Sequence, residues 1–406
     1  MRPRAMRGWR GCLLAGLLCP WTASAGEPAV DGPARATPAA PAVSQAAMAE
    51  YPRKLQEYLR ARRAYEAEAA AYWNRIAEKR RARNGKRRNH QAISIDDYVL
   101  TQPPLYSGPA RPVDPSGREV PPPREYVPVV TDFLKSAAEH FNFVPQRPQS
   151  EIEYKRGYAK AASQAGLTKQ QVVRIYAFES GGNGGYDVQA GLEHQTPGAR
   201  AINTALGYNQ LLNTNSVELM AEHGDEFIKI LKSRVAGSAG EARKMLESKL
   251  EVVQRMVQFA RTVPDEWAEH DKLANTPKGL GVHAMNLDRD VGPLLQVQKL
   301  SNSVVFARTR GYKAALTAAE LEMMNLTGDG NGLDMIMMPP DMREKVPTSN
   351  FFQQGGYGRN PVAIRNNVVS KLLAATDAKM DQEEKLRGAR DLAAAFSHEF
   401  RLIGVQ

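Results

Sequence analysis

One acidic residue inside an apolar helical pattern is the strongest chemical signal in this chain. The segment TKQQVVRIYAFES, residues 168–180, places four side chains on one helical face, at positions i, i+3, i+4 and i+7: Val172, Ile175, Tyr176 and Glu179. Burial disfavours a charged carboxylate, so we expect a raised pKa for Glu179 and a retained proton near neutral pH. A carboxyl group with these properties can serve as a general acid.

Both ends of this helix are specified by local sequence. Thr168 followed by Gln171 predicts a capping box at the start, and Gly181 and Gly182 predict the end directly after the acidic residue. Glu179 should therefore lie at the edge of an opening. The alternative interpretation is a core glutamate that is paired with an arginine or a lysine.

Two further motifs carry a family resemblance. ESGG at 179–182 and ALGYNQLL at 205–212 resemble, in type and order, the first two motifs of soluble lytic transglycosylases and goose-type lysozymes. The best counterpart of the third family motif, Tyr-Asn-Ala-Gly-Pro-Gly, is MNLTGDG at 324–330, which lacks the tyrosine. In that family the tyrosine hydroxyl helps to orient the catalytic glutamate; here Tyr357 or Tyr208 could take its place. The resemblance covers roughly residues 150–335.

The resemblance implies a lysozyme-like helical domain that cleaves the β-1,4 bond between N-acetylmuramic acid and N-acetylglucosamine in peptidoglycan. Glu179 would be the single catalytic acid and base, and the products would carry 1,6-anhydro ends. The substrate-binding positions that it implies are Ser180, Asn209, Gln210 and Asn325, together with Tyr208 and Tyr357. No cofactor and no metal are expected.

Two other functions stay open. A muramidase-type hydrolase of the same fold would need a second carboxylate to work with water, and Asp187 and Glu193 in the following loop are candidates. A non-catalytic protein that binds the cell wall, or an envelope scaffold, would keep the groove without turnover. The missing motif tyrosine is the main support for that second alternative.

The elements around these motifs predict a mostly α fold. Alternating β patterns are scarce, and helical runs are predicted from Phe133 onward at 154–165, 168–180, 216–235, 240–260, 295–308, 314–323 and 362–400. We expect a lytic transglycosylase-like domain at 131–345 and a C-terminal helical extension at 346–406. The loop Asp329–Asp334 is expected to be a glycine-rich turn after a helix, because it lacks the EF-hand pattern.

The N-terminus has the features of a secretory signal peptide. Four arginines precede a short apolar run, and Ala23-Ser24-Ala25 forms a small-residue cleavage site, so residues 1–25 are predicted to be removed. The mature chain would be free of cysteine, because Cys12 and Cys19 are the two cysteines. An exported protein of the periplasm or cell envelope is the expectation. Residues 26–50, rich in alanine and proline, are predicted to be a flexible linker.

The positive charge of the chain is concentrated in one segment. Residues 51–90 contain 13 basic and four acidic side chains, a local net charge of +9. We expect a basic helix there with one apolar stripe, formed by Leu55, Tyr58, Leu59, Tyr65, Tyr72, Trp73 and Ile76. The charge favours an anionic envelope polymer or a membrane surface as partner, rather than nucleic acid in an exported protein; a merely solvated helix face is the alternative. The following residues, 91–130, are predicted to be a proline-rich spacer or an extended wrapping segment.

Overall fold

The computed structural model describes residues 45–117, 125–192 and 199–403, the last six of these by their backbone alone. Within these ranges the chain is mostly helical and forms no strand, only three isolated β-bridges, so the predicted mostly α class is confirmed. The predicted signal peptide, linker residues 26–44, Pro121–Pro123 and Glu193 lie outside the described residues.

Most helices follow one another with short connections, but residues 89–129 separate α1 from α2 and residues 181–212 separate α4 from α5. Their bounds are α1 (Gln45–Arg88), α2 (Val130–Phe141), α3 (Glu151–Gln164), α4 (Lys169–Ser180), α5 (Asn213–Ala236), α6 (Gly240–Ala260), α7 (Trp267–Ala274), α8 (Pro277–His283), α9 (Gly292–Thr309), α10 (Ala318–Thr327), α11 (Asp329–Met337), α12 (Pro340–Arg343), α13 (Gln354–Gly358), α14 (Pro361–Arg365), α15 (Val369–Glu383) and α16 (Arg387–Ile403). No helix in the part of the chain described here is both long and apolar enough to cross a membrane.

The chain divides into two compact units, with the boundary between Tyr126 and Val127. The smaller unit is built on α1, which begins at Gln45, so the end of the predicted linker is helical. Of the predicted apolar stripe, Tyr72 and Ile76 are buried, whereas Leu59 is 40% exposed.

The segment after α1 packs back along that helix. The ring of Tyr106 meets those of Tyr58 and Tyr65 edge-on, with centroids 6.3 and 5.5 Å apart. The Tyr72 hydroxyl donates a hydrogen bond to the carbonyl of Thr101 at 3.0 Å. Described residues of the proline-rich segment therefore wrap the helix rather than stand free as a spacer.

In the larger unit, α4 is a central helix that contacts α3, α10, α15 and α16. Its predicted ends are confirmed. The Thr168 hydroxyl accepts a hydrogen bond from the Gln171 amide at 3.2 Å, the Gln171 side chain accepts one from Thr168 N–H at 2.9 Å, and Gly181 adopts the left-handed conformation with φ 62°. The predicted inward face is buried, since Val172, Ile175 and Tyr176 have no exposed surface.

Helix boundaries depart from prediction most clearly at three places. The run predicted at 314–323 is shifted, because α10 begins at Ala318 and ends at Thr327. The run at 362–400 is not continuous but divides into α14, α15 and α16. The first break occurs because backbone groups there bond to another segment: Thr348 N–H donates to the Asn367 carbonyl, and Val369 N–H donates to that of Val346. The predicted turn at Asp329–Asp334 is wrong, because these residues begin α11.

The C-terminal helices belong to the same packed unit as α4. Arg174 on α4 forms ion pairs with Asp377 at 3.0 Å and Asp381 at 2.6 Å on α15. Beyond the end of α4, the Gly182 carbonyl accepts a hydrogen bond from Ala389 N–H on α16 at 2.9 Å. The predicted boundary between residues 345 and 346 thus falls inside one compact unit.

A substitution at Gly182 can test how closely these helices pack against the end of α4. Its φ is +71°, and an added Cβ would lie 2.5 Å from the Glu383 carbonyl oxygen. Gly166 is a matched control, since its φ is +76° but nothing lies within 4 Å of its added Cβ. We expect Gly166→Ala to lower the free energy of unfolding by about 1 kcal/mol through backbone strain. Gly182→Ala should cost roughly 1–3 kcal/mol more through overpacking, measured by urea denaturation. Equal losses of stability in the two variants would show that the packing around Gly182 tolerates an added methyl group.

Candidate active site

Glu179 lies in the last turn of α4 and is almost completely enclosed. Its exposed fraction is 4%, and the side-chain amide of Asn325 donates a hydrogen bond to Glu179 Oε1 at 2.7 Å. Asn325 comes from α10, which packs against α4. The structure therefore brings together residues of the first and third sequence motifs through one buried hydrogen bond.

A second carboxyl group adjoins this pair. Glu322 lies one helical turn before Asn325 on α10, has no exposed surface, and interacts electrostatically with Glu179. No conventional donor among the described residues makes a well-formed hydrogen bond to either Glu322 oxygen. Two neighbouring buried carboxyl groups cannot both ionise at low cost, so at least one of them keeps its proton.

Burial is the dominant electrostatic effect on both groups. It raises the pKa of Glu179 to about 7, against the lowering effects of Glu322, Lys379 and Asn325. Burial together with the charge of Glu179 raises the pKa of Glu322 well above its usual range. The predicted upward shift of the Glu179 pKa is confirmed.

The nearest cation does not lock Glu179 in the charged form. Lys379 on α15 lies with its ammonium 4.8 Å from the centre of the Phe178 ring and 3.6 Å from Glu383. Its influence on Glu179 is a through-space charge effect that is weaker than burial. The alternative of a core glutamate neutralised by an ion pair therefore does not describe this site.

Ser180 and Asn209, two of the predicted substrate-binding residues, are engaged within the protein. The Ser180 hydroxyl donates to the Tyr176 carbonyl at 2.6 Å, within its own helix. The Asn209 side chain accepts from the Tyr158 hydroxyl at 3.0 Å and donates to the Gln296 carbonyl at 2.7 Å. Asn209 is buried, so its observed contacts are those of a core amide.

The other predicted residues lie in loops and packing clusters. The Gln210 amide donates to the carbonyls of Val188 at 3.3 Å and Gly207 at 2.8 Å, and this residue has a positive φ of 44°. The Tyr208 hydroxyl donates to the carboxyl of Glu151. Tyr357 is buried, with its ring 5.9 Å from that of Phe352.

No tyrosine hydroxyl hydrogen-bonds to Glu179 in the described part of the molecule. The expectation that Tyr208 or Tyr357 would replace the missing motif tyrosine is therefore not met, and Asn325 and Glu322 occupy the positions around the carboxyl. Glu322 was missed in the sequence. The available signal was an acidic residue three positions before Asn325 inside the apolar stretch of α10.

Of the two loop carboxylates considered for a hydrolase, Asp187 is described and does not contribute to the pKa shift of Glu179, whereas Glu193 lies outside the described residues. Asp187 is half-buried and pairs with Arg147 at 3.4 Å. Across the described ranges, no group of three histidine, cysteine, aspartate or glutamate side chains could hold a metal ion.

The site can donate a proton, but it is covered. The Gly182 carbonyl is bonded to α16, and the Asn183 side chain accepts a hydrogen bond from Gly388 N–H at 3.0 Å. With 4% of its surface exposed, Glu179 reaches a sugar only if its surroundings move.

The carboxyl pair predicts an unusual pH dependence of stability. A pKa of about 7 in the folded chain and 4.5 in the unfolded chain means that the folded state binds more protons between these values. The contribution of Glu179 to stability is therefore full below pH 4.5 and is lost as the pH rises from there through 7, by about 3 kcal/mol.

The variant Glu179→Gln/Glu322→Gln should lack this loss and gain stability relative to the wild type across that pH window in urea unfolding. Glu226→Gln/Glu251→Gln, at two exposed positions, is the matched control and should follow the wild-type curve. If the free energy of unfolding had the same pH dependence in all three proteins, Glu179 and Glu322 would not retain a proton in the folded state.

Comparison with known proteins gives no relative from which a function could be transferred. No protein family profile matches the chain, and neither a curated protein nor a solved structure matches it. What can be inferred of function comes from the contacts of Glu179, Asn325 and Glu322.

Proposed function

We propose that this protein is an exported peptidoglycan lytic transglycosylase with Glu179 as its catalytic acid and base. The observation that carries the proposal is the buried Glu179 carboxyl, which has a pKa of about 7 and receives a hydrogen bond from Asn325. The motif resemblance and the predicted signal peptide support the substrate and the location in the envelope. No cofactor takes part.

The proposed reaction needs one carboxyl group. Protonated Glu179 donates its proton to the glycosidic oxygen as the bond between that oxygen and the muramic C1 breaks. The 6-hydroxyl oxygen of the same muramic residue then bonds to C1, and its proton returns to Glu179. The carboxyl is regenerated, no water is consumed, and the product is a 1,6-anhydro ring.

Glu322 fits this reaction better than a hydrolytic one. The carboxyl groups of retaining glycosidases stand about 5–5.5 Å apart and those of inverting enzymes about 6.5–9.5 Å apart. Glu322 has no exposed surface and interacts with Glu179, so it is not placed at a separate, water-accessible position as the second carboxyl group of a hydrolase would be. Glu322 is therefore a positioning residue that adjusts the pKa of Glu179.

One specific observation favours a second candidate, a non-catalytic protein that binds the cell wall. Glu179 is only 4% exposed, and the helix end beside it is bonded to α16. Purified protein incubated with peptidoglycan sacculi separates the candidates by mass spectrometry of the released material. Anhydro-muropeptides support the transglycosylase, reducing ends the hydrolase, and retention on sacculi without release the binding protein.

Glu179→Gln should abolish release of anhydro-muropeptides without loss of thermal stability at neutral pH, because the amide keeps the volume of the carboxyl but cannot donate the proton. Glu218→Gln is a matched control, since Glu218 is also 4% exposed and burial raises its pKa to about 8, but it lies on α5. The control should retain turnover. Full activity in Glu179→Gln would remove this residue from the mechanism.

Glu322 can be tested through the pH profile of the reaction. Because Glu322 stays protonated, Glu322→Gln should leave the alkaline limb of kcat/KM nearly unchanged. Glu322→Leu removes the group that lowers the pKa of Glu179, so its alkaline limb should move to higher pH. An unshifted limb in Glu322→Leu, with turnover preserved, would show that Glu322 has only a packing role.

A further inference from the structure

The basic side chains of α1 divide into an inward and an outward set. The inward-facing basic side chains form contacts within the protein. Arg83 is buried and donates to the Asp97 carbonyl at 2.9 Å, and Lys86 pairs with the Asp97 carboxylate at 2.7 Å. Six other arginines are exposed, and none of them hydrogen-bonds or ion-pairs with any described residue: Arg53, Arg60, Arg63, Arg75, Arg81 and Arg88. We call these six the arginine face.

The six side chains share one side of the helix. At about 100° per residue they fall within an arc of about 140°, opposite the buried Tyr72 and Ile76, and they extend over about 50 Å of helix axis. Two exposed glutamates, Glu57 and Glu78, lie in the same arc, so the face carries a net positive charge. This arrangement is an extended cationic surface whose arginines form no ion pair with a described residue.

The composition of the arginine face indicates how it would bind. Its apolar residues are small, all exposed alanines: Ala64, Ala67, Ala70, Ala71 and Ala82. Leu59, which is 40% exposed, is a large apolar side chain at the edge of this arc, so insertion into hydrocarbon contributes little to it. Guanidinium groups recognise phosphate oxygens through paired hydrogen bonds, so the surface is suited to phosphate groups.

The spacing of the arginines favours a two-dimensional partner. Intervals between successive arginines range from three to twelve residues, and the side chains spread across a wide arc. A linear polyanion with a fixed charge repeat would match a regular, narrow row. Mobile lipid headgroups can move beneath each guanidinium, so irregular spacing carries no penalty.

We propose that the arginine face holds the protein on an anionic phospholipid surface by electrostatic contact with lipid phosphates. This docking is independent of the proposed catalytic function, because all six residues lie in the smaller unit. Each arginine near such a surface strengthens binding about fivefold, and the attraction falls with salt concentration.

Vesicle co-sedimentation of the full chain tests the proposal. The probes are vesicles of phosphatidylcholine alone and vesicles that also contain phosphatidylglycerol. We expect salt-sensitive binding to the anionic vesicles only. Arg63→Gln/Arg81→Gln/Arg88→Gln should weaken it about a hundredfold, with unchanged helical circular dichroism because glutamine is a good helix former.

The matched control is Arg156→Gln/Arg308→Gln/Arg365→Gln, which changes the net charge equally at exposed arginines outside α1. It should stay within a fewfold of wild type. Equal weakening in the two variants would reduce the effect to net charge and overturn the proposal. Failure to prefer anionic vesicles would also overturn it. Soluble polyphosphate that binds as tightly, with the same arginine dependence, would replace the lipid surface by a linear polymer.

Discussion

The hydrogen bond from Asn325 to Glu179 is the contact on which the candidate site depends. It joins two helices across the core and satisfies a carboxyl group that has almost no access to water. A buried acid of this kind is costly unless it is neutral or well solvated by the protein, and here it has an amide and a second carboxyl instead of a paired cation. The raised pKa of Glu179 follows from that choice of neighbours.

Buried hydrogen bonds also surround the second sequence motif. The loop that carries the second motif is held by a buried polar network in which Gln296 bonds to the backbone amide of Asn209, and His283 bonds to Ser216 at 2.8 Å. Burial lowers the pKa of His283 to about 4, so the network stays uncharged at neutral pH. Charge is not confined to the surface elsewhere, since buried Lys249 pairs with buried Asp288 at 2.9 Å.

Sequence reasoning was most successful where local interactions decide the outcome. The capping box at Thr168, the glycine that ends α4 and the burial of Glu179 could all be predicted from residues within a few positions of each other. It was least successful where distant segments meet. Glu322 acquires its role only because α10 packs on α4, and Asn209 and Tyr208 are consumed by core hydrogen bonds that no local pattern reveals.

The proline-rich segment packs on the inner side of α1, so the two sides of this helix are under different constraints. Aromatic contacts along the inner side, such as those between Tyr106 and Tyr65, specify folding, whereas the outer side has no structural duty among the described residues. Substitutions on that outer side can therefore accumulate without loss of stability. The proposed binding to anionic lipid could be strengthened, weakened or redirected during evolution while the fold of this unit stays the same.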